Sequence, residues 1–190
     1  MDPRLVGWAR AVKARQRRKL PPLWLFTDPA RMPDLEAAIA ALPRGLCGVV
    51  FRHDGVAGRR DLLRRVARLC RRRRLALVVA GSERDLPPGA GRHLRGGRGA
   101  RRTRHWLTSS AHDPAEIVRA RRAGAEAIFL SPAFTTLSHP DARPLGPTRW
   151  ANLSRRAGMV PFALGGIDGR TVRSLPSWAA GAGAIGALLP

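Results

Sequence analysis

The chain contains no tyrosine, one asparagine (Asn152) and only two lysines, Lys13 and Lys19, among 35 basic residues. Arginine therefore supplies almost all of the formal net charge of +22. A field of that size attracts anions of every kind. The arginines run along the whole chain instead of gathering in one recognition element, and the Arg/Ala/Gly/Pro bias reads as the mark of a GC-rich genome. Nucleic acid is therefore disfavoured as the main partner, and attraction of phosphorylated small molecules is the simpler use of the charge. Cys47 and Cys70 are the only cysteines and form no CxxC pattern. They read as small buried residues in a reduced, cytoplasmic setting. The five histidines form no H-x-x-x-H and no Cys/His cluster, so no zinc site is predicted, and metal ligands stay unassigned. No apolar run reaches the roughly 20 residues that cross a bilayer, and the N-terminal stretch is too charged for a signal peptide.

A length of 190 residues, with 44% hydrophobic content and five tryptophans, suits one domain with a sizeable core. Residues 1–20 place Leu5, Val6, Trp8, Ala9, Val12 and Leu20 among seven basic residues. They are expected to form a basic helix or arm (1–22) ended by Pro21-Pro22, with the main domain over 23–190. From there strand and helix patterns alternate. Strands are predicted at Leu23–Thr27, Gly48–Phe51, Leu75–Ala80, Arg92–Leu94, Trp106–Ser109, Ala127–Leu130, Val160–Leu164 and Ala182–Ala187. Helices are predicted at Leu35–Leu42, Arg60–Arg73, from Pro114 behind an Asp113 cap, and at Pro147–Arg156. Residues 81–105, rich in Gly, Pro and Arg, give the weakest signal. Eight strands separated by helices imply βαβ units closing into a compact TIM (β/α)8 barrel. An open doubly wound sheet is the alternative, though the first strand-to-helix turn lacks G-x-G-x-x-G.

The stretch from Ala125 to Asp168 carries most of the chemistry. One apolar run ends in Ser-Pro and a Thr/Ser/His loop; the next ends in Gly165-Gly166 before an expected helix. Glycines that let backbone N–H groups approach a ligand, ahead of a helix N-terminus, suit an anion. In a parallel barrel, both lie on the face where active sites sit.

The segments SAHDPAE (Ser110–Glu116), GAEAIFLSPAFTTLSHP (Gly124–Pro140), PLG (Pro144–Gly146) and PFALGGI (Pro161–Ile167) occur in that order. Together they resemble the thiamine phosphate synthase/TenI family of small (β/α)8 barrels. That resemblance implies a transferase of thiamine biosynthesis, joining hydroxymethylpyrimidine diphosphate to thiazole phosphate with release of pyrophosphate. It implies a thiazole-phosphate site at Gly165 and Gly166 with Ile185 and Gly186. It also implies a diphosphate site drawing on Arg52 and Ser110, and a Thr-rich substrate- or phosphate-binding loop at Thr135, Thr136 and Ser138. Partners would be phosphorylated small molecules, and a homo-oligomer is left open.

Several positions depart from the family pattern. Its strand-two Q-x-R-x-K reads Val50-Phe51-Arg52-His53-Asp54, so Gln and Lys are gone. The Asn-Asp pair after strand three, where Asp holds Mg²⁺, falls at Ala80-Gly81. A second acidic position falls near Arg98, and the strand-six lysine falls at His139. Mg²⁺ is thus implied as cofactor while its usual Asp ligands are missing. Asp54, Glu83 or Asp85 would have to serve, or arginines (Arg52, Arg84, Arg95, Arg98) would supply charge directly. His53, beside Asp54, and His139 are the candidate acid/base or phosphate-contacting histidines. His112 reads as structural. A TenI-like thiazole phosphate tautomerase is the alternative, weakened by Ser131-Pro132 where that branch has its catalytic histidine. A noncatalytic phosphate-binding barrel is the other alternative.

Overall fold

The computed structural model describes residues 1–16, 18–81, 86–99, 105–136 and 142–190. Eight parallel strands form a closed barrel in sequence order. They are β1 (Leu23–Phe26), β2 (Cys47–Phe51), β3 (Ala76–Ala80), β4 (Gly91–Arg95), β5 (Leu107–Ala111), β6 (Ala127–Leu130), β7 (Val160–Leu164) and β8 (Gly181–Ala184). Pairing of β1 with β8 through Leu23↔Ala182 and Leu25↔Ala184 closes the sheet and removes the open-sheet alternative.

Side chains alternate across each strand, and the two hydrophobic clusters follow that period of two. Leu23, Leu25, Val49, Phe51, Leu77, Val79 and Ile128 point outward into the cluster shared with the helices. Trp24, Phe26, Val50, Val78, Phe129 and Phe162 point inward and fill the barrel. The interior aromatics meet edge-on or stacked, with Phe26–Phe129 centroids 4.9 Å apart and Phe129–Phe162 centroids 5.0 Å apart. Such bulk needs small residues opposite. A Cβ on Gly48 would lie 2.7 Å from the Trp24 ring, and one on Gly183 2.6 Å from Phe26. The glycine-rich β8 is therefore the space that Phe26 occupies.

The outer wall holds α2 (Leu35–Ala40), α3 (Arg59–Arg73), α4 (Pro114–Arg122) and α5 (Gly146–Arg156). The Asp113 carboxylate caps α4, accepting from the Glu116 amide at 2.7 Å. β7 and β8 are followed only by 3-10 turns, at Thr171–Ser174 and Gly186–Leu188. The helix expected behind Gly165-Gly166 is thus a four-residue 3-10 turn. β8 stops at Ala184, short of the expected Ala187, because Ile185 leaves strand geometry (φ −110°, ψ −83°).

The N-terminal helix α1 (Pro3–Arg15) runs along the wall at this end of the chain. The Asp2 amide donates to Ala187 O at 2.9 Å, and the Asp2 carboxylate accepts from Gly169 N at 2.6 Å. At the other end, Lys13 Nζ donates to Gly45 O and Gln16 Nε2 to the Ser177 and Ala179 carbonyls. Leu5, Ala9 and Val12 are buried against the barrel. Among the described residues, no helix is long and apolar enough to cross a membrane.

Candidate active site at the C-terminal mouth of the barrel

Two polar regions share the mouth. The first lies behind β7 and β8, which pair through Leu164↔Gly183 and so bring Gly165, Gly166, Ile185 and Gly186 together. Gly165 and Gly166 both have left-handed φ, +88° and +64°. Their backbone packs directly on the chain leaving β6. Phe134 N donates to Gly165 O at 3.0 Å, Ala133 N donates to Leu164 O at 2.7 Å, and a Cβ on Gly166 would sit 2.3 Å from Thr135 O. Glycine at Gly166 is required twice over, by its φ and by this contact. Among the described residues, the amides of Gly165, Gly166, Ile185 and Gly186 have no hydrogen-bond acceptor. Four unspent N–H donors at a barrel mouth suit an oxyanion.

The Asp168 carboxylate accepts from Arg170 N and Thr171 N, both at 2.8 Å, and the Thr171 hydroxyl donates to Gly166 O at 2.8 Å. These bonds, led by that from the Thr171 amide, lower the Asp168 pKa and lock the turn. Arg31, on the loop after β1, brings its Nη2 within 3.2 Å of where a Gly186 Cβ would be. A single loop arginine among so many carries no signal in the sequence. Thr135 is exposed at the rim and Thr136 is half-buried. Ser138 and His139 lie outside the described residues.

The second region spans β1 to β5. Arg52, just past β2, donates through Nε to Thr27 O at 3.2 Å, and its guanidinium lies 5.4 Å over the Phe26 ring. Burial lowers its pKa, opposed by the Asp28 charge. His53 is only 3% exposed, stacks on Phe51 and shares a 2.9 Å hydrogen bond between its Nδ1 and Thr27 Oγ1. The expected His53–Asp54 pair does not form. Asp54 turns instead to Arg59, 3.3 Å away, and to Arg95. Ser110 lies within β5, beside Arg95 across the β4–β5 register. His112 bonds Glu116 through both its amide and Nδ1 at 2.8 Å, the structural role its position suggested.

His93 on β4 is the inward-facing residue that the sequence pattern did not single out. It is 4% exposed, and its Nδ1 lies 2.9 Å from Thr108 Oγ1, which in turn donates to Arg92 O at 3.3 Å. That assigns the proton to Nδ1 and leaves Nε2 an acceptor. Burial, reinforced by the Arg52 and Arg95 charges, pushes its pKa down to about 3, so the ring is neutral. The signal was parity: His93 pairs with Thr108 in the same register that pairs Arg95 with Ser110.

Among the described residues, no group of three or more His, Cys, Asp or Glu side chains is arranged to hold a metal. At Gly81, where the resemblance implies a Mg²⁺-binding aspartate, a Cβ would lie 2.5 Å from Asp54 Oδ1 and 3.1 Å from Arg59 Nη2. The corner is filled by an ion pair, and the described residues there do not fit a Mg²⁺ site.

A closed barrel of eight parallel strands in sequence order, with helices on its outer wall, defines a (β/α)8 protein. The family model described as thiamine monophosphate synthase matches residues 90–188, more than half of the chain, and the chain belongs to that family. The thiamine-phosphate synthase of Synechococcus sp. (strain CC9311) is 31% identical over 174 residues, covering 80% of this chain and 48% of that protein. A putative thiamine-phosphate synthase 2 of Aquifex aeolicus (strain VF5) is 38% identical over 64 residues, 34% of each. The chain spans half or less of the length of these curated relatives. Thiamine phosphate pyrophosphorylase from Pyrococcus furiosus shares the fold, with a TM-score of 0.73 at 20% identity over 89% of this chain and 87% of that one.

Proposed function

We propose that the chain is a thiamine phosphate synthase-type transferase. It would join hydroxymethylpyrimidine diphosphate to thiazole phosphate and release pyrophosphate. The observation that carries this reading is the division of the mouth into two anion-ready regions. Unspent amides at Gly165, Gly166, Ile185 and Gly186 suit a terminal phosphate. Arg52 on the β2 side suits a departing diphosphate.

The reaction breaks the bond between the pyrimidine methylene and the diphosphate oxygen and forms one to the thiazole nitrogen. The bonding pair leaves with pyrophosphate, so charge grows on its oxygens and cations facing them lower the barrier. Holding the second phosphate on the opposite loops would bring the two reacting centres together, which converts a bimolecular step into one within a complex. His93, neutral and with Nε2 as an acceptor, offers a hydrogen-bond partner to a pyrimidine amino group at the floor.

The test is turnover of purified protein with both substrates and Mg²⁺, scored for thiamine phosphate. Product is expected, and it should disappear in Gly166→Asp and Arg52→Ala. No product, with retained binding of thiazole phosphate alone, would remove the transferase reading.

A further inference from the structure

We propose that guanidinium groups take the place of the divalent cation at this mouth, with Asp54 setting Arg95 beside Arg52 so that the two bind a diphosphate directly. The inference rests on the transferase reading above and names how its leaving group is held.

Asp54 is the only described carboxylate at the corner beside Gly81, and both its oxygens are taken. Oδ1 faces Arg59 Nη2 at 3.3 Å, and Oδ2 accepts from Arg95 Nη2. Arg59 is itself fixed: Nη2 donates to Ala80 O at 2.6 Å, its guanidinium lies 5.1 Å over Phe51, and its side chain is 13% exposed. The anchored guanidinium orients the carboxylate, and the carboxylate orients Arg95. That last side chain is 57% exposed and stands at the end of β4, facing the open mouth. The hairpin that follows holds its backbone, through Arg95 N to Arg98 O at 3.2 Å and Arg98 N to Arg95 O at 2.9 Å.

Arg52 and Arg95 converge around one ring: the Arg52 guanidinium lies 5.4 Å over Phe26, and His93, two residues before Arg95 on the same side of β4, meets that ring edge-on at 5.5 Å, so two like charges share this part of the mouth. An anion between them removes their repulsion. Guanidinium groups match phosphate oxygens with paired N–H donors, and two of them supply the charge of one divalent ion. A Mg²⁺ ion at the same corner would have to displace Arg59 and Arg95 from the carboxylate it needs.

Calorimetric titration of the full chain with inorganic pyrophosphate, once in EDTA and once in Mg²⁺, tests this. Binding should be of similar strength in both. Arg95→Gln should weaken it by about tenfold or more, the scale of one charge-assisted contact. Arg122→Gln, which removes an equal charge from the exposed end of α4, should leave it unchanged. Asp54→Asn separates positioning from bulk charge. It raises the local positive charge, so plain electrostatics predicts tighter binding, whereas loss of the orienting carboxylate predicts weaker binding.

Binding that requires Mg²⁺, or that ignores Arg95→Gln, overturns the inference. The two readings fail separately. If no thiamine phosphate forms while metal-free pyrophosphate binding depends on Arg95, the transferase falls and the anion site stands. If thiamine phosphate forms and both turnover and pyrophosphate binding require Mg²⁺, the transferase stands and the arginine site falls.

Discussion

Replacing Gly166 with alanine puts a methyl group where the chain leaving β6 already lies. Two costs add. At φ +64° an L-residue pays for the left-handed conformation, about 1–2 kcal/mol. The new Cβ would also sit 2.3 Å from Thr135 O and 2.8 Å from Phe134 C, so the two loops must part; forced overpacking of that kind costs about 1–3 kcal/mol. Gly124, just after α4, isolates the first cost. Its φ is +82° and nothing lies within 4 Å of its Cβ position. Urea denaturation should therefore show Gly124→Ala losing about 1–2 kcal/mol and Gly166→Ala about 2–5 kcal/mol. The excess corresponds to a further drop in melting temperature of between about 2 and 12 °C for a domain of this size. Thiazole phosphate affinity should fall in Gly166→Ala and hold in Gly124→Ala. Equal stability losses would refute the steric contact between the loops behind β6 and β7.

Asp2 and Asp168 both have pKa values below the usual 3.8. For Asp2, burial opposes the shift and the Gly169, Leu5 and Arg4 amides outweigh it; for Asp168, the Thr171 amide leads. Groups of this kind stabilise the fold above pH 3.8, and the contribution disappears as pH falls through the folded values. Asp168→Asn should flatten the acid limb of stability against pH. His93, with its pKa near 3, contributes stability that is complete above pH 6.5 and declines as pH falls toward 3; its NMR imidazole shifts should stay those of the neutral ring at pH 5. Gly183→Ala should cost about 1–3 kcal/mol by crowding Phe26. In Phe26→Leu the same change should cost less, giving a coupling of at least about 0.5 kcal/mol in a double-mutant cycle.

Most of the barrel was legible because apolar strands alternate with helical stripes. Ala127–Leu130 and Val160–Leu164 match the expected strands end to end. β4 was harder to read, because Arg92-His93-Leu94-Arg95 has one apolar side chain, Leu94, turned outward, among three basic ones. The strand is held by its neighbours' registers, information that a local pattern does not contain. Gly165-Gly166 was visible through its glycines. The helix expected behind it was not realised, because the Asp168 carboxylate and Thr171 hydroxyl close a tighter turn. His53 was misread through adjacency. Asp54 follows it in sequence, but each finds a different partner, His53 the Thr27 hydroxyl and Asp54 the Arg59 and Arg95 guanidinium groups.

The chain's shortage of acid bears on how its mouth handles charge. It has 13 Asp and Glu residues against 35 Lys and Arg, and three of the acids (Glu83, Asp85 and Asp141) lie outside the described residues. The other ten are all engaged. Asp2, Asp34, Asp113 and Asp168 close helix or turn N-termini. Asp28 accepts from Ala30 N, and Glu126 from Leu107 N. Glu36, Asp61 and Glu116 pair with Arg65, Arg64 and Arg119. Asp54 is spent on two arginines at the mouth. A Mg²⁺ site needs several oxygen ligands from groups not otherwise committed. Guanidinium groups are what this sequence has in surplus, and one carboxylate suffices to aim them. A charge balance of this kind favours arginine over an acid-held metal wherever an anion must be neutralised.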